Sequence, residues 1–479
     1  MINKLKDFFL NNRETKQTVA KNIFWLSTGQ IGSRLIRALI IIYAARVLGA
    51  AEYGVFAYVV TLAGFFTVFA DIGINAILTR EIAKKTQEAS YYFATTFWIK
   101  IALLLLTAIL IIFAAPYFSK IEAAKAIIPF VALLVIFDGL RDFFASFFRG
   151  KEKMELEALL ISITNIAITI FGFIILQLNP TSKSLAITYV LSASAGTIVG
   201  FIILRKEIAK IFNFFKKELI PVIFKSALPL ALVGVIGVLM MQIDVLMLGF
   251  FKEAKDVGLY SAGQKIIGIF YILPSILAIS FFPLLARFVN QHNNEKAKLL
   301  IEKGITLNLF LALPMVIGGI ILADQIIEII YGKEYLPNTT SFQILFLTLL
   351  AIFPGTIIGN YIFAYDQQKR LAPNTLIGSL SNVFLNSILI PFFGINGAAI
   401  ATVTSQTIYN SLNWYTAKKI NNFYIIRYLK KIIISAAVMG IFSFLLKQMN
   451  INLTINIIIS IITYFTILNI LKEKIINEF

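Results

Sequence analysis

The stretch Arg46-Val47-Leu48-Gly49-Ala50-Ala51-Glu52-Tyr53-Gly54-Val55-Phe56-Ala57-Tyr58 returns in looser form further along the chain. The second copy reads Met247-Leu248-Gly249-Phe250-Phe251, a short insertion, and then Val257-Gly258-Leu259-Tyr260-Ser261-Ala262. Each copy reads as an apolar helix that stops at Leu-Gly, a tight turn, and a new helix that opens at a glycine beside an aromatic. Glycine suits such a turn because it has no Cβ to forbid a left-handed backbone. A weaker echo links Ala186-Ile187-Thr188-Tyr189-Val190 with Ala399-Ile400-Ala401-Thr402-Val403.

Outward from these turns the chain is almost continuously apolar. Of its 479 residues, 58% are hydrophobic and 14% charged, against about 45–50% and about 25% in soluble domains. A helix needs about 20 apolar residues to cross the hydrocarbon. About fourteen stretches qualify: 20–45, 55–78, 92–116, 124–148, 156–178, 184–204, 221–250, 257–286, 304–330, 340–364, 371–391, 395–417, 428–446 and 453–471. The first pair of repeated motifs then ends the first and seventh helices, and the second pair lies in the sixth and twelfth. That pattern predicts an all-α integral membrane protein of two pseudo-symmetric six-helix lobes plus two C-terminal helices, as in transporters with parallel repeats. The expected division is a cytoplasmic segment 1–19, an N-lobe 20–210, a C-lobe 211–420, and a final pair of helices with a cytoplasmic tail over 421–479.

Loop charges test the span count independently. Arg80 and Lys84, Arg149 with Lys151 and Lys153, the five basic residues from Arg205 to Lys217, Lys369 with Arg370, and Lys418 with Lys419 fall on one side. The alternate loops hold only scattered cations such as Lys120, Lys183 and Lys252. Lys- and Arg-rich loops stay in the cytoplasm, so both termini are expected there, in a cell membrane. The net charge of +18 is accounted for in this way, and nucleic acid is not an expected partner. The chain has no cysteine and one histidine, His292. Disulfides, thiolate chemistry, histidine triads and Cys- or His-rich metal sites are therefore excluded. No phosphate loop, dinucleotide fingerprint or Asp-x-Asp pair is present, and no loop is long enough for a catalytic domain. The sequence thus argues against an enzyme and specifically against a membrane sugar transferase or ligase.

The Leu48-Gly49 to Tyr53-Gly54 turn, Asp71-Ile72-Gly73 leading to Thr79-Arg80-Glu81, and Asp244 with Leu246-Met247-Leu248-Gly249 before Val257-Gly258-Leu259-Tyr260 resemble the polysaccharide transporter family. That family includes Wzx-type O-antigen flippases and shares a superfamily with the MATE multidrug exporters and the lipid II flippases. The resemblance covers nearly the whole chain. It implies a MATE-like fold and a flippase that moves a polyprenyl-pyrophosphate-linked oligosaccharide from the cytoplasmic to the outer leaflet by alternating access. It also implies a lipid environment and functional neighbours such as glycosyltransferases and a polysaccharide polymerase. The lipid II flippases are a near alternative, although their first-helix Ser-Arg-x-x-Gly-x-x-Arg-Asp pattern is missing, since Ser33-Arg34 runs into Leu35-Ile36-Arg37. A cation-coupled multidrug exporter is the other alternative and calls for an acidic, aromatic site.

Ions inside helices cost about 2.5–3.5 kcal/mol each on insertion scales, so each needs a reason. Arg34, Arg37, Lys100, Arg141, Lys225 and Lys265 outnumber Asp71, Asp138, Asp142 and Asp244, which predicts a cationic substrate cavity. Ser27, Gln30, Arg34 and Arg37 share one helical stripe. Guanidinium forks match phosphate oxygens. Gln30, Gln264, Gln406 and Tyr409 are candidate supporting polar groups. Asp138 sits three residues before Arg141 and can meet it on one face, so that cluster reads equally as structural. Asn382 and Asn386 read as helix glue, and Gly196 and Gly200 as a close-packing motif. No cofactor or metal is expected beyond coupling to H⁺ or Na⁺, for which Asp71 and Asp244 are the candidates; Asp244 can alternatively cap its turn or pair with Lys265.

Overall fold

The computed structural model describes residues 15–84 and 88–471, with side chains described for all of these except 15–20, 22–24, 26–31, 33–35, 232–233 and 427. Among the described residues the chain is helical throughout, without strands. Helix α1 (Thr15–Asp71) bends at Gly49; α2 (Ile74–Lys84), α3 (Ala89–Phe118), α4 (Ile128–Gly150), α5 (Met154–Leu178), α6 (Ser182–Ile203) and α7 (Leu219–Phe251) follow. Then come α8 (Ala254–Phe270), α9 (Ile272–Asn290), α10 (Asn294–Ile321), α11 (Ala323–Tyr331), α12 (Thr339–Phe346) and α13 (Thr348–Ala364). Helix α14 (Leu371–Ile420) bends at Gly394, and α15 (Ile426–Gln448) and α16 (Leu453–Ile470) close the chain.

Eleven helical segments among the described residues are long and apolar enough to cross a membrane. The fourteen spans read from the sequence are recovered once α1 and α14 are each divided at their glycines and α4 is added. Helix α4 is as long and apolar as the others but carries four charges, Asp138, Arg141, Asp142 and Arg149.

The two bends show why glycine was needed. Gly49 has φ 73° and Gly394 φ 54°, the left-handed region that L side chains avoid. The two copies of the repeated turn also touch. A Cβ on Gly54 would lie 1.7 Å from the Ala254 carbonyl oxygen, and one on Gly258 would lie 1.9 Å from the carbonyl oxygen of Ala50. Tyr58, buried with its hydroxyl donating to the Phe118 carbonyl at 2.7 Å, lies against Gly249, where a Cβ would meet the ring at 2.1 Å.

The chain divides into two compact units, Met1–Gly258 and Leu259–Phe479. The first holds α1 to α7, with α1 laid along α5 and α7 packed on α1, α2 and α3. The expected boundary at 210 and 211 followed the repeat; the contact division places α7 with the helices it touches. In the second unit, α10 packs on α13 and α15, and α15 pairs with α16. Tyr464 on α16 donates to the Phe310 carbonyl at 2.8 Å within an apolar cluster of Ile432, Ala436, Met439 and Leu468. The last two helices are thereby fastened to α10.

Pro129 occupies the first turn of α4, where a missing N–H costs nothing. Pro116 in α3 is an interior proline of the first half. In the second half Pro283, Pro314 and Pro354 are interior, and the eighth span is broken at Tyr271 into α8 and α9.

Gly54→Ala is expected to lower thermal stability by about 1–3 kcal/mol or more, the usual cost of overpacking. Gly237→Ala, with no atom within 4 Å of its Cβ position, should cause no loss. Thermal unfolding of the two purified variants in one detergent checks the contrast.

Candidate functional site

The polar residues of the first unit converge where α1, α2, α4 and α5 meet. Arg37 projects from the first arm of α1. Its Nε donates to Asn165 Oδ1 on α5 at 2.9 Å, and its guanidinium carbon lies 5.9 Å from the ring centre of Tyr189 on α6. Asn165 is held in turn, because its Nδ2 donates to the Ile161 carbonyl of its own helix at 2.8 Å. With Nε committed to a neutral amide and the flat face to an aromatic ring, neither terminal nitrogen of Arg37 donates to a described residue.

Arg141 on α4 is placed differently. Its Nη1 lies 2.7 Å from Asp138 and its Nη2 2.8 Å from Asp142 Oδ1. The i,i+3 partner was expected. Asp142 is one residue on, off that face, and the long guanidinium folds back to reach it as well. Two glycines make room for this. A Cβ on Gly196 of α6 would lie 2.1 Å from Thr164 Oγ1 and 3.3 Å from Arg141 Cδ, and one on Gly200 would strike the Phe144 ring at 2.5 Å. The close-packing role read for this pair therefore holds, and it also clears a path for the arginine stem.

Arg149, at the end of α4, makes a two-pronged pair with Glu157 of α5, Nε to Oε2 at 3.0 Å and Nη2 to Oε1. Glu157 is fully buried. Asn75 comes from the first turn of α2, just after a break in which Ile72 has φ 39° and Gly73 φ 87°. Asp71 caps the restart, its Oδ1 accepting from the Asn75 amide at 3.2 Å.

These side chains border a cavity of about 490 Å³ lined by Arg37, Asn75, Arg141, Asp142, Arg149 and Asn165, with Ser146 and Glu157. Of the six cations proposed from sequence, the cleft brings together two, Arg37 and Arg141. Lys100 is buried at 1% exposure and bound to Asp71 Oδ1 at 3.0 Å, outside the cleft lining. Lys225 is exposed on α7 and Lys265 is exposed on α8 in the second unit. The side chains of Gln30 and Arg34 lie outside the described residues. Gln264, Gln406 and Tyr409 are half-buried in the second unit. Asp244 is buried on α7 at 1% exposure.

Asn75, Asn165, Asp142, Arg149 and Glu157 were missed as site residues. Arg149 was hidden among Lys151 and Lys153 as loop charge. Asn165 gave a weak signal, an amide in the middle of an apolar span.

The second unit has a larger, mostly apolar cavity of about 670 Å³ between α10, α13 and the later arm of α14, bordered by Leu309, Leu350, Pro354, Asn410 and Trp414 among others. Across the bend in α14, Asn382 Nδ2 donates to Ser405 Oγ at 2.9 Å and Asn386 Nδ2 to Asn382 Oδ1 at 2.7 Å. The asparagines do tie helix arms together.

Residues 19–289 match the family described as "Polysaccharide biosynthesis protein", and residues 229–388 match the MatE family. The chain is 25% identical over 377 residues, 77% of each chain, to the probable low-salt glycan biosynthesis flippase Agl15 of Haloferax volcanii. It is 24% identical to the putative O-antigen transporter of Escherichia coli K12, covering 83% of this chain and 96% of that one. Among solved structures it resembles the lipid II flippase MurJ in its inward closed conformation, with a TM-score of 0.76 and 21% identity over 95% of this chain and all of that one.

Lys100 is buried while Asp71 is 37% exposed, so breaking this pair costs less than stranding a fully buried charge. Lys100→Met should lower unfolding free energy by about 1–2 kcal/mol, and adding Asp71→Asn should recover part of the loss. Melting curves of the single and double variants are the measurement.

Proposed function

The chain belongs to the polysaccharide biosynthesis protein family, and from that premise we propose that it is a flippase for a polyprenyl-pyrophosphate-linked oligosaccharide, with the Arg37 cleft as the site that holds the phosphate. The relatives are named as glycan flippases and O-antigen transporters. The observation that carries the site assignment is the state of Arg37. Its neighbours fix the plane of the guanidinium, Asp138 is within electrostatic reach but not in an ion pair with it, and neither terminal nitrogen is hydrogen-bonded among the described residues beside a cavity large enough for a headgroup. Cavities of about 300–1,000 Å³ are usual for small ligands. A planar fork offers phosphate oxygens two parallel hydrogen bonds.

A drug-cation exporter would place an uncompensated carboxylate where Arg37 stands, so the same observation disfavours that reading. Transport needs no covalent step. The substrate is picked up in the cytoplasmic leaflet, the membrane half turns over by alternating access, and release follows in the outer leaflet. The basic loops support cytoplasmic termini. Asp244 is the proposed coupling residue for H⁺ or Na⁺, because a buried intramembrane acid commonly marks an ion path. The substrate's chemistry calls for glycosyltransferases that build it inside and a polymerase or transferase that consumes it outside.

In reconstituted vesicles, Arg37→Ala should slow flipping of the lipid-linked glycan at least about tenfold, and Arg37→Lys should fall between it and the parent. Lysine keeps the charge and loses the fork. Parental rates in a well-folded Arg37→Ala variant would refute the assignment.

A further inference from the structure

The cleft is not uniformly cationic. Arg141 is neutralised by Asp138 and Asp142, and Arg149 by Glu157. What remains unsatisfied is of two kinds on different helices. From α1 come two donors, the terminal nitrogens of Arg37. From α2 and α4 come acceptors. Asn75 Oδ1 is buried and has no hydrogen-bond partner among the described residues. Asp142 engages Arg141 through Oδ1 alone, which leaves Oδ2 without a described partner on a side chain 54% exposed.

The register of α2 against α4 brings these acceptors level. Thr79 Oγ1 donates to the Ser146 carbonyl at 3.0 Å, and a Cβ on Gly150 would lie 2.9 Å from Ile82 Cβ. The two helices therefore run in the same direction, with 79 beside 146 and 82 beside 150. Asn75 is four residues before Thr79 and Asp142 four before Ser146, so each lies just over one turn, about 6 Å along its helix, from the same tie.

We propose that Asn75 and Asp142 form a sugar-recognition subsite, so that the cleft reads the first sugar of the lipid-linked glycan together with its phosphate. The inference rests on the assignment of the phosphate to Arg37. Its chemistry is that of complementary groups. A phosphate at neutral pH brings acceptors and is repelled by a carboxylate and an amide oxygen. A sugar ring brings hydroxyl donors, which are what two level, unfilled acceptors require. A ligand that lacks the hydroxyl leaves Asn75 Oδ1 buried and unpaired, which is the source of discrimination at such a site, while the half-exposed Asp142 orients the same hydroxyl.

The test uses the full-length protein in lipid nanodiscs and two probes, polyprenyl pyrophosphate and the same lipid bearing one hexose, with affinities measured for each. Asn75→Ala and Asp142→Asn should each cut the preference for the hexose-bearing lipid about tenfold and weaken binding of the bare lipid by no more than about twofold. Asn75→Ala keeps every ion pair of the cleft, so it guards against a folding defect in Asp142→Asn. Equal losses for both lipids, or no loss for either, would overturn the subsite. Arg37→Ala is the separate arm. It should weaken both lipids alike, and undiminished binding of bare polyprenyl pyrophosphate there would defeat the phosphate assignment while leaving the sugar preference of the other variants on record.

Discussion

Inside hydrocarbon an ion without a counter-ion is among the costliest groups a helix can carry, and the first unit is arranged around meeting that cost. Lys100 is bound by Asp71, Arg141 by Asp138 and Asp142, and Arg149 by Glu157. Near the start of α1, Lys21 is 1% exposed and bound by Glu155 at 3.2 Å. Every pair except those within α4 joins segments distant in sequence or across a turn, so charge neutralisation also fixes which helices are neighbours. Arg37 stands apart because its partners are an amide and an aromatic ring. Those groups orient the guanidinium and leave its charge available.

Backbone constraints cooperate with the charges. The chain reverses at Gly49 and Gly394 where only glycine is comfortable, and it restarts a helix at Gly73 under an Asp71 cap. That restart turns Asn75 toward the cleft while the capping carboxylate serves Lys100. One carboxylate thus performs a local and a long-range task. A broken helix is the form in which a membrane segment can present polar groups without exposing unsatisfied backbone to lipid.

Much of the fold was legible because it rests on periodic, redundant signals. Apolar length gave the spans and the loop cations were consistent with their number; the Leu-Gly turn is made at Gly49, whereas Gly249 stays helical and α7 runs on to Phe251. The site was legible only in part. Arg37 and Arg141 announced themselves as charges in apolar helices, but their difference in state depends on Asn165, Tyr189 and the two carboxylates, which no spacing on a single helix reveals. Lys100 shows the same limit. Its partner, Asp71, is on another helix, so a count of cations against anions could not say which cation was spoken for. Arg149 was misplaced because a loop rule based on the positive-inside bias has no way to know that a charge at a helix end folds inward to a buried Glu157.

The near-balance of the cleft makes physical sense for a carrier. A phosphate 4 Å from an unpaired guanidinium gains about 4 kcal/mol at an effective dielectric of about 20, close to a thousandfold in affinity. If Arg141 and Arg149 were also bare, attraction on that scale would hold the lipid in place and make release the slow step. Among the described residues the three arginines are balanced by three carboxylates, Asp138, Asp142 and Glu157, so the pull on a phosphate is local to the Arg37 guanidinium. The remaining affinity must then come from groups such as Asn75 and Asp142, whose hydrogen bonds with a hydroxyl are exchanged for hydrogen bonds with water at modest net cost. A flippase must let go of what it binds on every cycle, and a cleft whose described charges balance, with the Arg37 guanidinium outside the ion pairs, permits recognition without capture.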